Sequence, residues 1–229
     1  MTEVLDIAPI DAIYALSEEA MNHFGGDMVP ARLRTQAIDL KIHWVSETGK
    51  DPIRLTSGIR MLPTVSLARM MYKEECLLRR ENPHSQDSYE NCPPLDVVLM
   101  GAQIEAYQPS EADLAFIRKS YEDCSAFLTI CGGMMSPMQA GIFQGKSATG
   151  PRMMLDSLRE KNPGVDWQEK RWVRDGKLWS SGTLLNGLDL MHAFCTETWG
   201  GEGSLVEFHM NLTSWPRRDV DYKDEPKFS

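Results

Sequence analysis

The chain has no apolar run approaching the ~20 residues that cross a bilayer, and no surplus of cations. Its 24 lysines and arginines stand against 33 acids, for a formal charge of -9. The first absence excludes a membrane-spanning helix. The second argues against non-specific binding to nucleic acid or to an anionic membrane, because nothing is left over to neutralise phosphates. The start of the chain lacks the lysines and arginines of a signal peptide and carries Glu3 and Asp6 instead, which points to the cytoplasm. Cysteine is sparse. The five are Cys76, Cys92, Cys124, Cys131 and Cys195, with no CxxC pair and no zinc-like spacing. An odd, scattered set fits free thiols in a reducing compartment and offers no metal site. In that compartment the sequon Asn211-Leu212-Thr213 is incidental. The five histidines, His23, His43, His84, His192 and His209, are scattered through unrelated contexts, and none follows a candidate nucleophile.

What is present suits a single globular domain of 229 residues, 42% apolar with mean hydropathy -0.35. Residues Pro9 to His23 read as one helix with Ile10, Ile13, Leu16 and Ala20 on a face. Leu40 to Val45 alternate like a strand, and Pro52 to Met61 read as a strand pair bent at Ser57-Gly58. Met70 to Pro94 is charged and proline-punctuated, an exposed helix end and long loop. Leu95 to Met100 is an apolar run of the kind buried in parallel sheets, closed by Gly101. Ser110 caps a helix to about Asp123, with Asp113 three residues on as the matching acid. After Gln144 to Thr149, a turn and short strand, a helix runs from Pro151 to Lys161. Gln168 to Val173 and Leu178 to Ser180 form a hairpin, and a last long helix covers Leu184 to Trp199. Residues 200–229 read as a polar tail, loose or packed on a neighbour. Strands alternating with helices indicate an α/β fold with a largely parallel sheet.

One stretch carries chemistry. From Ala126 to Gly141, a short apolar run stops at Cys131, Gly132 and Gly133 follow, and a helical pattern begins. This is the layout of a nucleophile elbow, in which a reactive side chain sits on a tight strand-to-helix turn. Glycines permit the sharp bend, and a helix N-terminus aimed at the sulfur favours thiolate over thiol. A buried cysteine that merely ends a core strand gives the same apolar pattern. Met134, Met135 and Met138 near the elbow suit irregular core space or a soft apolar pocket. Trp172 and Trp179 flank the hairpin as core or interface residues.

Further residues are shared with a known group. Leu5-Asp6, Leu95 to Gly101, Ile130-Cys131-Gly132-Gly133, Ala140 to Thr149, Arg171 to Gly182 and Asn186-Gly187-Leu188-Asp189 together resemble the DJ-1/PfpI superfamily, whose fold is that of class I glutamine amidotransferases. The specific segments resemble the branch that contains isocyanide hydratase. The resemblance implies a flavodoxin-like three-layer sandwich with a mostly parallel sheet and a nucleophile elbow. It implies Cys131 as nucleophile and Asp6 as the acid beside it. The backbone N–H of Gly132, with that of Gly101 or Ala102, would form an oxyanion-type pocket. Gly133, Thr149 and Arg152 would border the substrate, Arg152 as a clamp for an anion or carbonyl. Asp6 also fits as a helix N-terminal acid, favourable through the dipole alone.

Three features depart from that pattern. Only five residues precede Asp6, where the family opens with a complete strand, so either a first strand is missing or replaced by one from elsewhere or from a second subunit, or the gene model is short. The elbow has Gly132 where the branch commonly has threonine. No histidine follows the elbow or Ala148-Thr149, where Gly150-Pro151-Arg152 stands, so a Cys-His-Glu triad has no support. The resemblance therefore implies a homodimeric, cofactor-independent hydratase, lyase or isomerase acting on a small electrophile, with isocyanide hydration the best-defined chemistry and specialised metabolism a natural setting. A glyoxalase-like reaction is a further family option. The competing class is a peroxide-sensing thiol with no turnover, and a third is a relic whose pocket has closed over with Met134 or Trp44.

Overall fold

The computed structural model describes residues 3–23, 28–49, 53–61, 87–103 and 107–223. The chain opens on α1 (Val4–Ile7), α2 (Ile10–Tyr14) and α3 (Glu18–His23). The single helix expected from Pro9 to His23 is thus broken in two. Ser17 is the cause: it forms a parallel bridge with Ile38, and its hydroxyl accepts the Ala20 N–H at 3.0 Å. Serine satisfies a helix N-terminus better than it fills a helix interior. After α4 (Ala31–Arg34), β1 (Val45–Ser46) pairs in parallel with β4 (Asp87–Ser88), and β2 (Ile53–Arg54) makes a small antiparallel ladder with β3 (Arg60–Met61). Most of the expected 70–94 loop, up to residue 86, lies outside the described residues.

The remaining elements are the four strands of the sheet that holds the elbow, a separate parallel pair (Ser147–Ala148 with Asp166–Trp167), and the helices between them. They are β5 (Val97–Met100), α5 (Glu111–Asp123), β6 (Ala126–Thr129), α6 (Met135–Gln139), β7 (Ser147–Ala148), α7 (Leu155–Lys161), β8 (Asp166–Trp167), β9 (Trp172–Asp175), β10 (Leu178–Ser181), α8 (Asn186–Trp199) and α9 (Leu205–Leu212). The order across the sheet is β5-β6-β10-β9, parallel except for the β9–β10 hairpin, whose turn carries Gly176 at φ 60°. A capping box does start α5: the Ser110 hydroxyl accepts the Asp113 N–H at 3.1 Å, and the Asp113 carboxylate accepts the Ser110 N–H at 2.7 Å.

Strand alternation divides the core into two layers. Ala126, Leu128 and Trp179 face α2, α8 and α9, among Ile13, Leu190, Met191 and Leu205. Phe127 and Leu178 face the other way, toward Ile117, Phe143, Leu155 and Trp167. This is the three-layer, flavodoxin-like arrangement. Met134 joins the second layer, with Met135 and Met138 packed against it. Trp172 stacks on Trp179 with ring centroids 5.6 Å apart. Leu128 is fully buried, so Leu128→Ala is expected to cost about 2–5 kcal/mol, read from the shift of a urea unfolding midpoint at unchanged slope.

Two further expectations are corrected. Of Leu40 to Val45, only Val45 enters a ladder. A cavity of about 1070 Å³ is lined by Leu40, Ile42 and Trp44 together with Val97 and Leu99 of β5. Nor are residues 200–223 a loose tail. Ser204 caps α9 by accepting the Glu207 N–H at 3.1 Å, and Leu205, Val206 and Met210 are buried. The chain then returns across Arg171, which is completely buried. Its Nη1 donates to the carbonyls of Asp219 (2.6 Å) and Asp221 (2.9 Å), and its N–H donates to Val220 O at 2.8 Å.

Candidate active site

Cys131 leaves β6 with φ 55° and heads a 3-10 turn, Cys131–Met134, that runs into α6. A non-glycine residue in this left-handed region carries strain of about 1–2 kcal/mol, and such strain concentrates where a side chain must be presented. The half-buried cysteine is therefore held at an elbow and does not simply end a strand. The two glycines after it have steric reasons. A Cβ on Gly133 would lie 2.1 Å from Met100 O, and one on Gly132 would lie 3.2 Å from Ala102 Cβ. The elbow thus fits directly against the loop that ends β5.

Asp6 arrives at the same place from α1. It is completely buried, and its Oδ2 accepts the Ala102 N–H at 3.0 Å and, at 3.4 Å, the Glu3 N–H. Its carboxyl is close enough to Cys131 for its charge to act on the thiol. Asp6 is thus both an acid of the first turn of α1 and a neighbour of the sulfur. The Ala102 N–H, expected in an oxyanion pocket, is instead turned to this carboxylate.

The electrostatics at the sulfur run opposite to the expectation of a preformed thiolate. Burial pushes the Cys131 thiol above its ordinary pKa, and the carboxylates of Asp6 and Glu3 push in the same direction. Two backbone N–H groups oppose them, from Gly132 and from Leu184. The helix after the elbow is too short to outweigh burial, with a 3-10 first turn and only five α-helical residues in α6. Cys131 is accordingly expected to alkylate with a pH midpoint above that of an unperturbed cysteine. Iodoacetamide labelling followed by peptide mass spectrometry across the pH range measures this, and a midpoint below the ordinary value would contradict the arrangement.

Leu184 is the residue that sequence reasoning missed. It stands in the turn between β10 and α8, and its contribution is a backbone N–H that no side-chain motif announces. Two expected substrate residues are occupied elsewhere. Thr149 is completely buried, its hydroxyl donating to Lys170 O at 3.0 Å and its N–H to Ser180 Oγ at 2.9 Å. Arg152 donates from Nε (3.0 Å) and Nη2 (2.8 Å) to Glu169 Oε1, lies 4.4 Å over the Tyr222 ring, and its side chain is only 6% exposed. Beside the elbow, Ser136 Oγ donates to Gln103 Oε1. Among the described residues, no group of three or more histidines, cysteines or acids is placed to hold a metal ion.

A strained cysteine at a strand-to-helix elbow, on a mostly parallel sheet flanked by helices, with a buried carboxyl at its side, defines a cysteine-elbow α/β protein. Residues 16–197 match the model of the DJ-1/PfpI family, and the chain belongs to that family. Among curated proteins it is similar to isonitrile hydratase of Pseudomonas putida, 26% identical over 191 residues, 81% of this chain and 72% of the relative. Among solved structures it is similar to a ThiJ/PfpI family protein from Pseudomonas syringae (TM-score 0.62, 18% identity, 99% of this chain and 73% of that one). It is also similar to Drosophila melanogaster DJ-1beta (TM-score 0.56, 17% identity, 90% and 92%). At those identities the structures speak for the fold. Asp6 lies before the matched segment, and its place at the elbow rests on its bond to the Ala102 N–H and on the close approach of Ala102 to Gly132.

Proposed function

We propose that the protein is a cofactor-independent enzyme in which Cys131 attacks a small, neutral electrophilic carbon, with isonitrile hydration as the reaction. The observation that carries this is the completely buried Asp6 carboxyl beside a cysteine held at φ 55°. A thiol whose resting state is protonated needs a base within reach at the moment of attack, and a positioned carboxylate supplies one. In the first step the Cys131 sulfur bonds to the terminal carbon of R–NC. The thiol proton passes through Asp6 to that carbon, leaving a thioimidate, S–CH=N–R. In the second, water adds to the same carbon, the carbon–sulfur bond breaks, and the thiol regains its proton. The product is the N-formamide, R–NH–CHO, and the net change is addition of one water.

The similarity to isonitrile hydratase supports the reaction class. The local charge supports a neutral substrate: the charged side chains acting on the Cys131 thiol are both carboxylates, and Arg152 is engaged by Glu169 and Tyr222. Met134 packs in the core, close to Gly150 and Leu158, and so does not cover the thiol as a closed relic would require. A peroxide sensor needs a thiolate near neutral pH, and burial and both carboxylates oppose one here. Exposed Val4 and Leu5 on α1 and Leu185 beside Leu184 suit contact with a second copy of the chain, giving a homodimer.

The test is formation of N-formamide from alkyl and aryl isonitriles, with Cys131→Ser as the blank. Turnover by the wild type alone supports the proposal. Absence of turnover, together with selective oxidation of Cys131 by mild peroxide on intact-mass measurement, assigns the thiol to sensing instead.

A further inference from the structure

The four-stranded sheet ends at β5. Hydrogen bonds fix which of its backbone groups face β6: the Asp96 carbonyl accepts the Ala126 N–H at 3.2 Å, and the Met100 carbonyl accepts the Ile130 N–H at 2.9 Å. Along a strand the peptide groups point to alternate sides, residue by residue. The N–H and C=O of Val97 and Leu99 therefore point away from β6, and no strand among the described residues pairs with them. All of Val97–Met100 is only half-buried, whereas every residue of β6 is buried. Proteins commonly protect such an edge with charge or proline, and Val97–Met100 has neither.

This open edge lies on the cavity of about 1070 Å³, which all four residues of β5 line. Residues 39–44 line it too, and among the described residues their backbone enters no ladder and makes no backbone–backbone hydrogen bond. One cavity is thus bordered by two stretches of unpaired backbone. Its apolar lining comes from both core layers, Ile13 of α2 from one and Ile117 of α5 from the other. The side chains of β5 alternate between the same layers, Val97 and Leu99 packing on the first and Val98 and Met100 on the second. Asp39, Lys41, Pro93 and Pro94 also line the cavity and are exposed, so it opens to solvent.

We propose that this cavity seats an extended, apolar segment of a partner protein, added to the outer edge of β5 as a further strand. The backbone edge calls for a polypeptide: its donors and acceptors recur every second residue, and another extended backbone presents partners at the same repeat. The two apolar layers call for a segment apolar at successive positions, because an added strand alternates its side chains between the layers as β5 does. Seating such a strand requires nothing of Cys131.

The experiment titrates the protein with a peptide of about six residues, built of valine, isoleucine and leucine and flanked by lysines for solubility. Tryptophan fluorescence follows binding, since Trp44 and Trp199 line the cavity. Two further peptides carry N-methyl groups on one or the other alternate set of residues, which keeps the side chains and removes backbone donors. The expected result is saturable binding of the plain peptide, weakened about tenfold by methylation of the set that faces β5. Hydrogen exchange locates the strand: the Val97 and Leu99 amides should exchange quickly in the protein alone and about tenfold more slowly with the plain peptide. Equal binding of all three peptides means apolar uptake without strand pairing, and it overturns the proposal, as does no binding. Slow exchange of both amides in the protein alone overturns it as well. The edge is then already covered, by a second copy if the protein sediments as a dimer and by the chain itself if it sediments as a monomer.

Discussion

Gly133→Ala is expected to destabilise the protein by more than about 4 kcal/mol, the range in which folded yield itself falls. The added Cβ would lie 2.1 Å from Met100 O, 2.8 Å from Met100 C and 2.9 Å from Gly101 C. Every one of those atoms is backbone, so no side chain can swing away to admit the methyl group. Either β5 parts from the elbow, or the elbow shifts and takes Cys131 with it. Gly132→Ala is the matched comparison. Its Cβ would lie 3.2 Å from Ala102 Cβ and 3.7 Å from Ala102 Cα, a contact that a shift of a few tenths of an ångström relieves, at about 1 kcal/mol. Soluble yield and urea unfolding of the two variants side by side give the answer. A Gly133→Ala protein within 1 kcal/mol of Gly132→Ala would show that the elbow does not lie against the β5 loop.

How much of this could be seen in the sequence depended on how local each cause is. The run Ala126–Thr129 is buried at every position and leads to Cys131, so its burial and the turn that follows are written in adjacent residues, whereas Leu95–Met100, expected as a buried strand, supplies the end strand β5, whose residues Val97–Met100 are only half-buried. The Ser110–Asp113 cap and the Gly176 turn are equally local. The division of the N-terminal helix at Ser17 was hidden because its cause is Ile38, 21 residues further on. Helix α9 was hidden for a different reason. Gly200, Gly201 and Gly203 before it and Arg217 and Arg218 after it give the whole stretch a polar average, although Leu205, Val206 and Met210 share one buried face.

The candidate site divides in the same way. Cys131, Gly132 and Gly133 were legible as a pattern. Arg152 was expected at the pocket from its place at a helix start, but its partners Glu169 and Tyr222 come from separate parts of the chain. The direction of the thiol shift was illegible because it depends on the depth of burial and on α1 bringing Asp6 to the elbow. Neither of these is encoded near residue 131.

Asp6→Asn is expected to move two properties of Cys131 in opposite directions. Asparagine has the same shape, and its Oδ1 can still accept the Ala102 N–H that Asp6 accepts at 3.0 Å, so the join between α1 and the β5 loop survives. The charge does not. The Asp6 carboxylate raises the thiol pKa, so its removal lowers that pKa. The thiolate fraction at a fixed pH below the midpoint then rises, and alkylation becomes faster than in the wild type. Catalysis should fall nonetheless. If Asp6 carries the thiol proton to the isonitrile carbon, asparagine cannot take it up, and loss of a positioned acid–base group costs about 10²–10⁴-fold in rate. An acid serving only the α1 dipole would behave otherwise: stability would change by about 0.3–1 kcal/mol while turnover stayed level. Alkylation rate, N-formamide formation and urea stability, measured on one preparation, separate these roles. Faster alkylation with undiminished turnover would remove Asp6 from the reaction and leave it as an electrostatic neighbour of the sulfur.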